Sequence, residues 1–225
     1  MDRPVRKPIR LKNYDYSSPG AYFITVCTRE KRCILSSIAA PPGGGVGEGL
    51  APPAVILTGT GSLIEKQLLR LPKRFPDLTL DRYVIMPNHI HLLLTIKSGA
   101  GGAGGASPSP TTKSDVAGAI GAFKSLCTHE WHRMGFTGPL WQRSFYDHIV
   151  RNEAEYREIA EYIDANPARW KSGTLPPGAD ESGPVFPQPR HWRAESEAGP
   201  PMANAARRIR GQVLFGDMKH PPAGV

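Results

Sequence analysis

The chain has 225 residues, of which 21% are charged and 40% hydrophobic, and its formal net charge is +8. That length suffices for one domain with a real core, and the composition is not that of a wholly disordered polyampholyte. No apolar run reaches the roughly 18 residues of a membrane span, and no signal-peptide pattern follows the basic N-terminus.

In chain order, Ala21–Thr28 is β-branched and aromatic and reads as a strand. Residues 39–53, with Pro41-Pro42-Gly43-Gly44-Gly45, have the composition of a flexible insert. Ser62–Arg74 places Leu63, Ile64, Leu68, Leu69 and Leu71 at helical spacing. Leu78–Met86 reads as a second strand, broken at Met86-Pro87-Asn88, and His89–Ile96 as a third beside it. A second Gly-rich insert, residues 98–112, precedes a helix over Val116–Arg133 with Ser114-Asp115 suited to cap it. Leu140–Ile149 is an aromatic-rich strand or turn. Glu153–Ala165 is the last helix, capped by Asn152 and expected to stop at Asn166 because Pro167 disfavours helical geometry there. The order predicts an α+β, ferredoxin-like βαββαβ antiparallel sheet with helices on one face. The other face is left for a ligand or the C-terminal helix. The domain is expected over residues 1–175, with 176–225 a loose Pro/Gly-rich extension.

Three cysteines (Cys27, Cys33, Cys127) lack metal-type spacing and predict a reducing, cytoplasmic setting. The basic residues cluster at Arg3–Lys12 with Arg29, Lys31 and Arg32, at Lys66–Arg82, and at Arg207–Arg210. Such clustering points to a polyanion, with nucleic acid as the foremost class.

The sharpest chemical feature is His89-Ile90-His91. On a strand, i and i+2 share a face. Both imidazoles therefore stand beside Leu93 and Thr95 on what reads as an exposed face, while Ile90, Leu92, Leu94 and Ile96 face the core. Two adjacent imidazoles suit a shared divalent ion. The second feature is Tyr162 and Asn166, one turn apart and about 40° from each other around the helix. A phenol and an amide oxygen there can join the histidines. Metal, amide and phenol together suit phosphodiester chemistry, with the tyrosine attacking phosphorus.

Met86-Pro87-Asn88-His89-Ile90-His91-Leu92, the run from Leu140 to Asn152, and Tyr162-Ile163-Asp164-Ala165-Asn166-Pro167 occur in an order that resembles the REP-associated tyrosine transposases, members of the HUH single-strand endonuclease superfamily. The resemblance runs from about Asn13 to Trp170. It implies a Mg²⁺ or Mn²⁺ site, and cleavage of single-stranded DNA beside a REP-like hairpin through a 5′-phosphotyrosine, in the bacterial cytoplasm at the nucleoid. It also assigns His89 and His91 as the metal-binding pair, Asn166 as the third ligand and Tyr162 as the nucleophile. Whether one copy or two form the site is left open.

Tyr146 is the rival nucleophile, but Val150 stands where Tyr162 has Asn166. Tyr146 and His148 are therefore read as packing or DNA-contacting residues. Arg70, Lys73, Arg74, Arg143 and Arg151 are candidate phosphate contacts, and Trp141 is a candidate exposed stacking platform. His129-Glu130-Trp131-His132 lacks zinc-protease spacing and reads as a solvated helix face. The alternative function is a ferredoxin-like module that binds RNA or single-stranded DNA without cutting it.

Overall fold

The structure, a computed structural model, describes residues 14–39, 53–97 and 115–170. The centres of both inserts and the expected C-terminal extension lie outside the described residues. Among the described residues, six strands form two sheets. The main sheet contains β1 (Gly20–Cys27), β4 (Leu78–Ile85), β5 (His89–Ile96) and β6 (Tyr146–Val150) in the order β4-β5-β1-β6, each neighbouring pair antiparallel. With helices α1 (Gly59–Leu68), α2 (Leu71–Arg74) and α3 (Val116–Arg133) between them, these strands follow the expected βαββαβ plan. A small hairpin, β2 (Ser36–Ala39) with β3 (Ala54–Leu57), is an addition to it.

Strand alternation sorts the side chains into two cores. Tyr22, Ile24 and Val26 of β1 and Ile90, Leu92 and Leu94 of β5 meet Ile64 and Leu68 of α1 and Ile120 and Phe123 of α3. The odd positions Ala21, Phe23 and Leu93 meet Ile159, Tyr162 and Ile163 of the last helix, α4 (Glu153–Arg169). Both faces of the sheet are thus covered. As expected, the C-terminal helix α4 lies on the second face, and β5 is buried along its whole length.

The helix expected over Ser62–Arg74 is two helices. Pro72 has no N–H to continue the hydrogen-bond ladder of α1, and the chain restarts at Leu71. The Thr58 hydroxyl caps α1, accepting from the Gly61 amide at 3.1 Å. Gly61 has no room for a side chain: a Cβ there would lie 1.9 Å from the Leu35 carbonyl oxygen. Gly61→Ala therefore destabilises the fold by about 1–3 kcal/mol through overpacking, read as a lower urea midpoint at unchanged slope.

Helix α3 spans the predicted residues, and Asp115 caps it by accepting from the Ala117 and Gly118 amides. Asn152 caps α4, accepting from the Glu155 amide at 2.8 Å. Unlike the sequence expectation, α4 does not stop before Pro167 but runs through it to Arg169. Tertiary contacts outweigh the local preference: Pro167 is buried, the Arg169 guanidinium lies 5.9 Å from the centre of the Tyr162 ring, and the Trp170 ring lies 6.2 Å from that of His89.

Candidate active site

The site forms where β5 begins. His89 lies opposite Cys27 and His91 opposite Thr25 in the β1–β5 pairing. The period of the strand puts both imidazoles on one face, and their ring centres are 4.6 Å apart. Both rings are buried, not exposed as the sequence pattern suggested, because α4 lies over them. Burial pushes the His89 pKa down to about 3 and that of His91 well below its ordinary value, with His89 adding to the latter effect. Both are therefore neutral and keep a lone pair at physiological pH.

Each Nδ1 is held from the protein side. His89 Nδ1–H donates to the Asn88 side-chain oxygen at 2.7 Å, and His91 Nδ1 lies 2.8 Å from the Thr25 hydroxyl. With Nδ1 as donor to the Asn88 oxygen, Nε2 carries the lone pair in His89. Phe23 stacks on His91 at 5.2 Å and fixes its plane. Among the described residues no group of three or more His, Cys, Asp or Glu could hold a metal ion. The two imidazoles are the nitrogen donors that the strand brings together.

The amide and the phenol come from α4. The Tyr162 ring lies 5.4 Å from that of His91 and 6.0 Å from that of Phe23. Burial raises the Tyr162 pKa, while a hydrogen bond from the Asn166 side chain and the charge of Arg169 pull the other way. The Asn166 amide N–H serves the phenol. Asn166 is itself buried.

Known proteins carry related sequences. No family model matches the chain. An uncharacterised protein of Haemophilus influenzae is 30% identical over 178 residues, 76% of this chain and 92% of that one, and the chain belongs to its family. The REP-associated tyrosine transposase of Escherichia coli is 23% identical over 154 residues, 68% of this chain and 70% of its own length. The chain is similar to this transposase over that span. A solved structure of such a transposase bound to a REP hairpin is 21% identical, covers 71% of this chain and 73% of its own, and has a TM-score of 0.49.

The remaining residues singled out from the sequence divide by position. Tyr146 is half-buried on the same sheet face, opposite Thr25. It is two strands from His91, or about 10 Å by strand spacing, whereas the Tyr162 ring is a direct neighbour of His91. Trp141 is a correction: instead of an exposed platform it is buried, 6.0 Å from Phe123 in the main core. Its backbone bridges to Thr28, which turns the ring inward. His148 is also buried, and its Nε2 meets Glu155 Oε1 at 2.7 Å, so it fastens α4 to β6. Arg70, Lys73 and Arg74 are placed around α2, and all three are exposed. Helix α2 leads into the start of β4, which pairs with the far end of β5, so these residues stand away from the histidines. Arg143 is exposed in a loop at the histidine end, where the Gln142 amide donates to the Cys27 carbonyl. Arg151 is partly buried just before α4. His129 and His132 lie on the outer side of α3, as expected, with His132 Nε2–H donating to the Gly138 carbonyl at 2.8 Å.

Sequence reasoning missed Phe23, Thr25, Trp170 and the His148–Glu155 tie. Asn88 was legible as part of Met86-Pro87-Asn88-His89. Thr25 becomes visible only once the β1–β5 register is known. For Glu155, burial raises the carboxyl pKa, but hydrogen bonds from His148 and the Arg151 amide outweigh it, and the net value falls below the ordinary 4.5. A lowered carboxylate pKa stabilises the fold above the unfolded value, and this contribution is lost as pH falls through the folded one. Glu155→Gln should therefore flatten the loss of stability below pH 4.5, as measured by urea midpoints taken between about pH 3 and 6.

Proposed function

We propose that the chain nicks and rejoins single-stranded DNA beside a hairpin, with Tyr162 as the nucleophile. The observation that carries this reading is the Tyr162 ring 5.4 Å from His91, which is paired in turn with His89. It occurs in a relative of a REP-associated tyrosine transposase, which gives the reading its substrate class.

In the reaction, Tyr162 Oη attacks the scissile phosphorus. The Oη–P bond forms as the P–O3′ bond breaks, the phenolic proton is released, and the departing 3′ oxygen takes up a proton. The product is a 5′-phosphotyrosine and a free 3′ hydroxyl. Because the new ester conserves the broken bond, a 3′ hydroxyl can attack it in return without ATP. Burial holds the resting phenol protonated. The Asn166 N–H and the Arg169 guanidinium are placed to stabilise the phenolate as it forms. His89 and His91 through Nε2, with the Asn166 carbonyl oxygen, are the residues that would hold Mg²⁺ or Mn²⁺. Such an ion, when bound, polarises the phosphate and favours the ionised phenol.

The test is incubation with labelled hairpins carrying single-stranded flanks, in Mn²⁺ and in EDTA. A denaturation-resistant protein–DNA shift that EDTA removes is expected. Binding of the hairpin with no such shift in any divalent ion would overturn the enzymatic reading in favour of a binding module.

A further inference from the structure

One surface at the histidine end has no part in this chemistry. Just beyond Cys27, the strand partner of His89, the chain makes a tight turn, Arg29-Glu30-Lys31-Arg32, closed by the Arg32 amide donating to the Arg29 carbonyl at 3.3 Å. Its two central residues are left-handed, with φ of 56° at Glu30 and 53° at Lys31, and neither is glycine. A turn of this kind is most easily made by Asn-Gly. Strained backbone carrying long charged side chains is found where those side chains have a use.

The turn is held rigidly in place. The Thr28 amide and hydroxyl both donate to the Asn88 carbonyl at 3.0 Å, which joins the turn to the residue that orients His89. Arg32 donates to the Pro139 carbonyl at 2.9 Å, and its guanidinium lies 5.6 Å from the centre of the Trp131 ring. On Trp131 the Phe136 ring stacks at 5.1 Å and 8°, yet Phe136 is 45% exposed. Two carboxylates share the area: Glu30 pairs with Arg29 and Glu130 with Arg133. The cations Arg29, Lys31, Arg32 and Arg133 leave it net positive.

Duplex DNA hides the faces of its bases, whereas an unpaired strand offers phosphates and bare faces together. A basic edge beside an exposed aromatic ring matches the second case. We infer that the Arg29–Arg32 turn and Phe136 form a landing surface for unpaired DNA at the edge of the Tyr162–His91 site: Arg29 and Lys31 take phosphates and Phe136 stacks a base. The inference rests on the DNA-nicking reading and specifies where the single strand enters.

The test measures binding of a single-stranded oligonucleotide and of a blunt duplex to the full chain across 50–200 mM salt. The Arg29→Ala/Lys31→Gly variant should show a salt slope shallower by about 1.4 for the single strand, at about 0.7 for each of two phosphates no longer neutralised. Because glycine relieves the left-handed strain, a purely structural turn would instead show higher thermal stability with an unchanged slope, and that result overturns the inference. Phe136→Ala should weaken single-strand binding about tenfold and leave the blunt duplex unaffected. Phe136→Tyr, which keeps the ring, should bind as the unaltered chain does. Equal losses on both DNA forms, or none, contradict the stacking role. An unaltered chain that binds no single-stranded DNA would instead defeat the DNA-nicking reading itself.

Discussion

Tyr162→Phe abolishes the covalent protein–DNA adduct while hairpin binding stays within about twofold of the unaltered chain. The variant removes one oxygen atom from a side chain whose ring is packed by Phe23 and His91, and both ring contacts survive. The fold should tolerate it well, since the hydrogen bond from Asn166 that disappears is worth about 1 kcal/mol. The other phenol of α4, Tyr156, is engaged with Asp81 and not with the histidines, so the loss is total rather than graded. Gel-resolved adduct and fluorescence anisotropy, measured on the same preparations, separate the two effects. Tyr146→Phe should keep the adduct, because Tyr146 is two strands away from His91.

The second large effect is expected at the imidazole pair. His91→Gln removes a nitrogen donor while keeping a polar side chain in a site with no exposure. Mn²⁺ binding, read by calorimetry on the free protein, should disappear along with the adduct. Thr25→Val has nearly the same shape but lacks the hydroxyl that meets His91 Nδ1 at 2.8 Å. Its Mn²⁺ affinity should fall about 10- to 100-fold, the usual effect of losing an orienting partner behind a ligand. Unchanged Mn²⁺ binding in both variants would move the cation elsewhere. Circular dichroism on each variant distinguishes a missing ligand from a missing fold.

The site was legible where local periodicity decides geometry. A strand period of two puts His89 and His91 side by side, and a helical turn puts Tyr162 near Asn166; both follow from spacing alone. How completely the C-terminal helix buries the histidine face does not. Leu93 and Phe23 are apolar on the supposedly exposed face, a signal that something packs there, yet the helix that meets them is set by tertiary contacts. The same contacts carry α4 through Pro167, against the local preference of the residue before proline. Trp141 was misread because a run of aromatic residues does not reveal which side of a loop faces the core. Arg70 to Arg74 cluster along the chain but stand far from the histidines, since charge density in sequence carries no direction in space. The β2–β3 hairpin escaped notice because four-residue strands, separated by a long Gly/Pro-rich insert, give almost no period to count.

The most direct measurement is peptide mapping of the adduct. The unaltered chain is reacted with a flanked hairpin in Mn²⁺, digested with protease and nuclease, and subjected to tandem mass spectrometry. The expected result is a nucleotide phosphate carried by the α4 peptide at Tyr162. The same mass on the β6 peptide at Tyr146, or on any residue other than Tyr162, would contradict it.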